Sequence, residues 1–118
     1  MNLNQNTLTI ENGNGSAITR QLGYIKSEDN NAINNSVIKW QNFQAGLHIV
    51  PFGISSTDYI PVEVTPYSGY GSDVMFSTRR TANDNLPYPS SVTFPTSTYN
   101  GTNTVDRWWY VGTSSFMK

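Results

Sequence analysis

Apolar and polar positions in this chain alternate with a period of two over short runs, and no helical period is sustained. The clearest run is residues 59–65. Ile60, Val62 and Val64 share one parity, and Tyr59, Pro61 and Glu63 take the other. Successive strand side chains point to opposite faces, so one parity faces a core and the other faces out. Thr7-Leu8-Thr9-Ile10 repeats the pattern. Residues 36–43 do too, with Ile38 and Trp40 on one side and Val37 and Phe43 on the other. Residues 73–78 align Val74 with Phe76, and residues 91–94 form another short candidate. Residues 17–25 place Ile18, Arg20, Leu22 and Tyr24 on one parity, and Gly23 favours strand over helix there. In residues 47–54 an apolar run is broken by Pro51 and Gly53, which predicts an edge strand or a bulge.

Between these runs lie turn signals. Asn12-Gly13-Asn14-Gly15, Gln44-Ala45-Gly46 and Tyr99-Asn100-Gly101-Thr102 read as tight turns. Residues 27–35, 55–58, 66–72 and 79–89 read as loops, the last held extended at its end by Pro87 and Pro89. About eight short strands at this spacing predict an all-β fold: a single antiparallel β-sandwich of jelly-roll type. Ile38, Trp40, Ile60, Val62, Val64, Val74 and Phe76 are the expected core. Residues 7–118 make one domain by length. Residues 1–6 have little apolar content and are expected to form a flexible arm, with Leu3 as its apolar anchor on a neighbour.

Residues 104–112 hold the densest aromatic run. Alternation puts Val105, Arg107, Trp109 and Val111 on one face and Asp106, Trp108 and Tyr110 on the other. With bulk on both faces, this strand is expected to be central in a sheet, or covered on its second face by a partner. Three Trp, seven Tyr and five Phe are a heavy load for one thin domain of 118 residues. The expected oligomer contacts are Leu3, Tyr67, Tyr70, Arg79, Arg80, Tyr88, Trp108 and Trp109.

Composition narrows the classes. Charged residues are 13% of the chain and the net charge is -1, so no basic stripe of a nucleic-acid binder is present. The polar surface comes from Ser, Thr, Gln and the 14 Asn, which suit turns and local side-chain bonds. The chain has no cysteine, which excludes disulfides, thiolate zinc sites and a Cys nucleophile. No apolar run approaches membrane-spanning length.

Candidate chemistry is sparse. His48, the single histidine, lies in an apolar run and has no Gly-x-Ser-x-Gly elbow to serve. Glu28-Asp29-Asn30-Asn31 and Asn83-Asp84-Asn85 carry oxygen ligands but lack the spacing of a calcium loop. Asp58, Glu63, Asp73 and Asp106 sit in or beside strands, and nothing selects two of them as a glycosidase pair. No catalytic residue, metal site or cofactor is therefore expected. Tyr67, Tyr70, Tyr88, Trp108 and Trp109 could alternatively stack on the flat faces of sugars, the platform of a carbohydrate-binding module or lectin-like domain.

Tyr59-Ile60-Pro61-Val62-Glu63-Val64-Thr65-Pro66 and Asp73-Val74-Met75-Phe76 resemble the late strands of tectivirus-like penton jelly rolls. The whole chain resembles small β-rich bacteriophage virion proteins of penton, decoration or spike type. The features are a polar arm, short strands without cysteine and an aromatic C-terminal strand. The resemblance implies a jelly roll that assembles in several copies with itself and other virion proteins, without catalysis. It places no functional residue on any position. The implied location is the virion, or the extracellular space for a glycan-binding module.

Overall fold

The computed structural model of the chain describes residues 1–28, 35–69, 71–79 and 108–113, with Arg79 and Trp108 described by backbone alone. Among these residues the fold is all-β, with six strands and one short 3-10 helix, Gly15–Ala17. The strands are β1 (Thr7–Ile10), β2 (Val37–Trp40), β3 (His48–Val50), β4 (Val62–Val64), β5 (Val74–Arg79) and β6 (Trp108–Thr113). One sheet has the order β1-β2-β5-β6, and β3 and β4 pair as a second. The strand expected at 91–94 and residues 104–107 lie outside the described residues.

The larger sheet is mixed. β1 runs parallel to β2, while β2–β5 and β5–β6 are antiparallel. This corrects the expectation of a purely antiparallel arrangement. Residues 11–36 separate β1 from β2, enough chain to return to the starting side as a parallel pair requires.

Register assigns the faces. Leu8 and Ile10 stand opposite Ile38 and Trp40, which stand opposite Phe76 and Val74. Directly opposed residues share a face, so these six form one apolar side of the sheet. In the second sheet His48 opposes Val64, and Val50 opposes Val62. These faces meet in one cluster that includes Ile38, Trp40, Phe43, Val50, Phe52 and Phe76. Ile60, Val62 and Val64, expected in the core, pack half-buried at its rim. Fully burying a side chain such as Phe76 stabilises the fold by about 1.5–3 kcal/mol.

Three expectations give way to local geometry. Phe43 belongs with Trp40 and not opposite it, because β2 ends at Trp40 and Asn42 turns the chain with φ 49°. Residues 17–25 do not form a strand. Gly23 turns the chain at φ 86°, and at the end of this stretch only Ile25 and its neighbour Lys26 make isolated bridges, to Phe52 and Asn2 respectively. Among the described residues the inner strands are β2 and β5, not the aromatic C-terminal one. Val74, Met75, Phe76, Ser77 and Thr78 are all buried, so β5 is covered on both faces. β6 is last in the sheet order among the described residues.

In this conformation residues 1–3 lie docked against the domain. Leu3 is 5% exposed and sits in the core cluster. Its N–H donates to Lys26 O at 3.0 Å, and Lys26 N–H donates to Met1 O at 2.8 Å.

Candidate assembly surface

The apolar face of the larger sheet does not stop at β5. Phe76 opposes Val111, and Thr78 opposes Trp109, so Val111 and Trp109 continue the face that carries Val74 and Phe76. Yet Trp109 is 41% exposed and Val111 51% exposed. Among the described residues the second sheet packs into the cluster of Ile38, Trp40, Val74 and Phe76, and Trp109 and Val111 stay half open. The Trp109 indole donates from Nε1 to Ile60 O at 3.4 Å. Behind Val111 lies a half-open cleft of about 470 Å³, walled by Phe43, Val64, Val74, Tyr110 and Thr113. Among the described residues no charged side chain lines it. Gly112 shares parity with Tyr110, and a methyl group at that glycine would overlap the Tyr110 hydroxyl. The missing side chain lets the Tyr110 ring lie along its own strand.

The other expected contacts are scattered. Tyr67 is fully exposed in the loop after β4. Leu3 is buried in its own chain, so in this conformation it offers nothing to a neighbour. Arg79 and Trp108 oppose each other at the end of the β5–β6 ladder. Tyr70, Arg80 and Tyr88 lie outside the described residues. Sequence reasoning omitted Val111 from the contact set, although its parity with Trp109 was already visible. It also missed Tyr59, which is exposed beneath the Arg20 guanidinium at 4.0 Å from the ring centre, a cation–π pair.

His48 is an interior packing group. It is fully buried, 3.9 Å from the Phe43 ring centre and 4.8 Å from that of Trp40. Its Nδ1 and Nε2 each lie 2.9 Å from a carbonyl oxygen, of Gly46 and Gly13. Both nitrogens are thus engaged with backbone. Asp58 accepts from Ser55 Oγ at 2.8 Å within its own turn, and Glu63 is exposed on β4. Asp73 pairs with Lys39 at 2.8 Å. The Lys39 hydrogen bond holds the Asp73 carboxyl below its ordinary value, against a smaller opposing effect of burial, and the Asn42 N–H assists. Among the described residues no three His, Asp or Glu side chains gather as metal ligands. Asp29, Asn30 and Asn31, the 83–85 run and Asp106 lie outside the described residues. No helix among the described residues is long and apolar enough to cross a membrane.

No family model matches this chain, and no curated protein or solved structure matches it either. The β6 margin is therefore read on its own chemistry.

Proposed function

We propose that this chain is a non-enzymatic structural subunit, of the penton, decoration or spike type found in virions, and that it works by assembling with copies of itself. The fold proposed for the whole chain is a jelly-roll-type sandwich, built on the all-β frame described above. One observation carries the reading: the apolar face of the sheet runs on to Trp109 and Val111, where its own second layer does not cover it. An exposed apolar face at a sheet margin, backed by a cleft without charged side chains among the described residues, suits a subunit contact. Tryptophan is the residue type most often found as the energetic anchor of such contacts. Sedimentation of the purified chain across micromolar concentrations tests this. Self-association that Trp109→Ala abolishes, with the fold intact, supports the reading. A monomer at every concentration overturns it.

A second reading rests on the same half-exposed indole. A flat ring open to solvent can stack against a sugar face, which would make the chain a glycan-binding module. Glycan binding by a monomeric wild type, lost in Trp109→Ala, would move this reading to first place.

A further inference from the structure

Residues 1–3 and β1 are joined by a turn in which Asn4 and Gln5 both have positive φ, at 48° and 66°. Asparagine tolerates this region, but a glutamine there is strained. The same glutamine has a second defect. Its Oε1 accepts from the Asn35 N–H at 2.8 Å, while its Nε2 is buried without a hydrogen-bond partner. An unsatisfied buried amide is costly in its own right. Two independent local costs therefore fall on one residue, at the joint between the N-terminal strap and the sheet.

Beyond the joint the strap docks well. Leu3 fills a place in the core, and the Leu3 N–H and the Met1 carbonyl bond the backbone of Lys26. The Met1 amino group donates to Tyr24 O at 2.7 Å. These contacts require residues 1–3 of a chain, but not of the same chain. A well-docked element on a strained joint is the physical condition for exchange between identical subunits.

We propose that residues 1–3 are exchanged between copies of this chain. With Asn4 and Gln5 straightened, the strap of one copy fills the slot beside residues 24–26 of another, and Leu3 takes the same core position. Exchange presupposes the homo-oligomer proposed above, yet uses a surface other than β6. Straightening gives up the bonds of the Asn6 N–H and Nδ2 to Leu3 O at 3.0 and 2.9 Å, of Asn6 Nδ2 to Asn4 O at 2.8 Å, and of the Gln5 N–H to Ser36 Oγ and the Asn35 N–H to Gln5 Oε1, both at 2.8 Å. Asn6 is exposed, so water can replace its bonds. The straightened residues between Leu3 and Thr7 span at most roughly 14 Å, so the copies must pack that close to the slot.

The chain lacks cysteine, so an introduced pair reports alone. Asn2 and Lys26 are bridge partners, and the full chain carrying Asn2→Cys with Lys26→Cys can be oxidised at concentrations where native mass shows an oligomer. Exchange yields chains linked to one another on a non-reducing gel. Gln5→Gly accepts the positive φ and should lower the linked-between to linked-within ratio by roughly fivefold or more. Gln5→Pro, which excludes that φ, should raise it. Thermal unfolding of each variant reports that the fold is retained. An oligomer whose pair closes only within chains overturns exchange and leaves the assembly reading standing, as does an oligomer indifferent to Gln5→Gly. A chain that stays monomeric and closes its pair internally overturns both.

Discussion

Trp40 and Trp109 stand on the same face of the same sheet, yet one is fully buried and the other 41% exposed. Both donate the indole N–H to a backbone carbonyl: Trp40 to Asn12 O at 2.7 Å, Trp109 to Ile60 O at 3.4 Å. The difference lies in what stands above them. Over Trp40 the loop at 11–15 closes down, and His48 and Phe43 pack edge-on against the indole. Gly13 O then accepts from Gln44 N–H at 3.1 Å and meets the His48 ring, so the lid is bonded as well as packed. Over Trp109 the second layer supplies one carbonyl and little apolar cover. Residue type and strand parity give both indoles the same address. The layer opposite decides which becomes core and which becomes surface.

The sharpest way to break the interior side is to remove a ring from it. Phe43 contacts Trp40, His48 and Phe76, with ring centres 5.9, 3.9 and 5.7 Å away. Phe43→Ala should cost roughly 3–5 kcal/mol of folding stability, measured by denaturant unfolding. Somewhat smaller is the effect of Gly13→Ala. A methyl group there would overlap the Asn42 carbonyl, so either the lid or the turn after β2 must shift. A loss of about 3 kcal/mol is expected, with near-ultraviolet circular dichroism of Trp40 altered. A Gly13→Ala protein as stable as wild type would mean that residue 13 does not lie against the turn after β2 as described.

Part of this contrast was legible in the sequence. Ile38, Trp40, Val74 and Phe76 follow period-two patterning, and each is buried. The β1 strand begins and ends where its alternation does. Parity counting puts Phe43 on the wrong side because it presumes that the strand continues, and the positive φ of Asn42 is a tertiary choice. The buried hydroxyls of Ser27 and Thr78, bonded at 2.9 Å, carried no signal because isolated Ser and Thr read as surface. A lone leucine in a polar run does not reveal which chain it docks to, so the sequence offers Leu3 equally to a neighbour and to its own core, where it sits in this conformation. At the candidate site, the bulk on β6 is plain, but its place at the end of the sheet among the described residues is not. Strand order comes from pairing across long separations, and local pattern does not encode it.

The open side of the comparison is sharpened by Trp109→Ala. A half-exposed ring contributes less to its own fold than a buried one, so folding stability should drop by about 2 kcal/mol, well short of the loss in Trp40→Ala. Association should weaken by about 2 kcal/mol or more if the indole anchors a subunit contact. Sedimentation and thermal unfolding of the same sample separate the two. Val111→Ala should act in the same direction with a smaller association loss. Equal, large losses of folding stability in Trp109→Ala and Trp40→Ala would erase the distinction between the two tryptophans.

The smallest effect belongs to the ion pair beneath the turn that delivers Phe43. Asp73 receives Lys39 Nζ at 2.8 Å and the Asn42 N–H at 3.4 Å, so one carboxylate touches both β2 and the residue whose φ turns the chain inward. Its carboxyl is held below the ordinary 3.8, foremost by the Lys39 hydrogen bond. A depressed folded value means that the charged carboxylate stabilises the fold. That contribution is fully present above the ordinary value and fades as pH falls through the lower folded one. The pair is partly exposed, so solvent and salt screen it. Asp73→Asn should therefore lower the melting temperature slightly at neutral pH, the gap to wild type shrinking below about pH 4 and in concentrated salt. The amide can still accept the Asn42 N–H, so the turn and the Phe43 packing should survive the change. A gap that stays constant down to pH 2 would show that Asp73 acts through the shape of the turn rather than through its charge. The turn would then belong with the interior contacts that set Trp40 apart from Trp109.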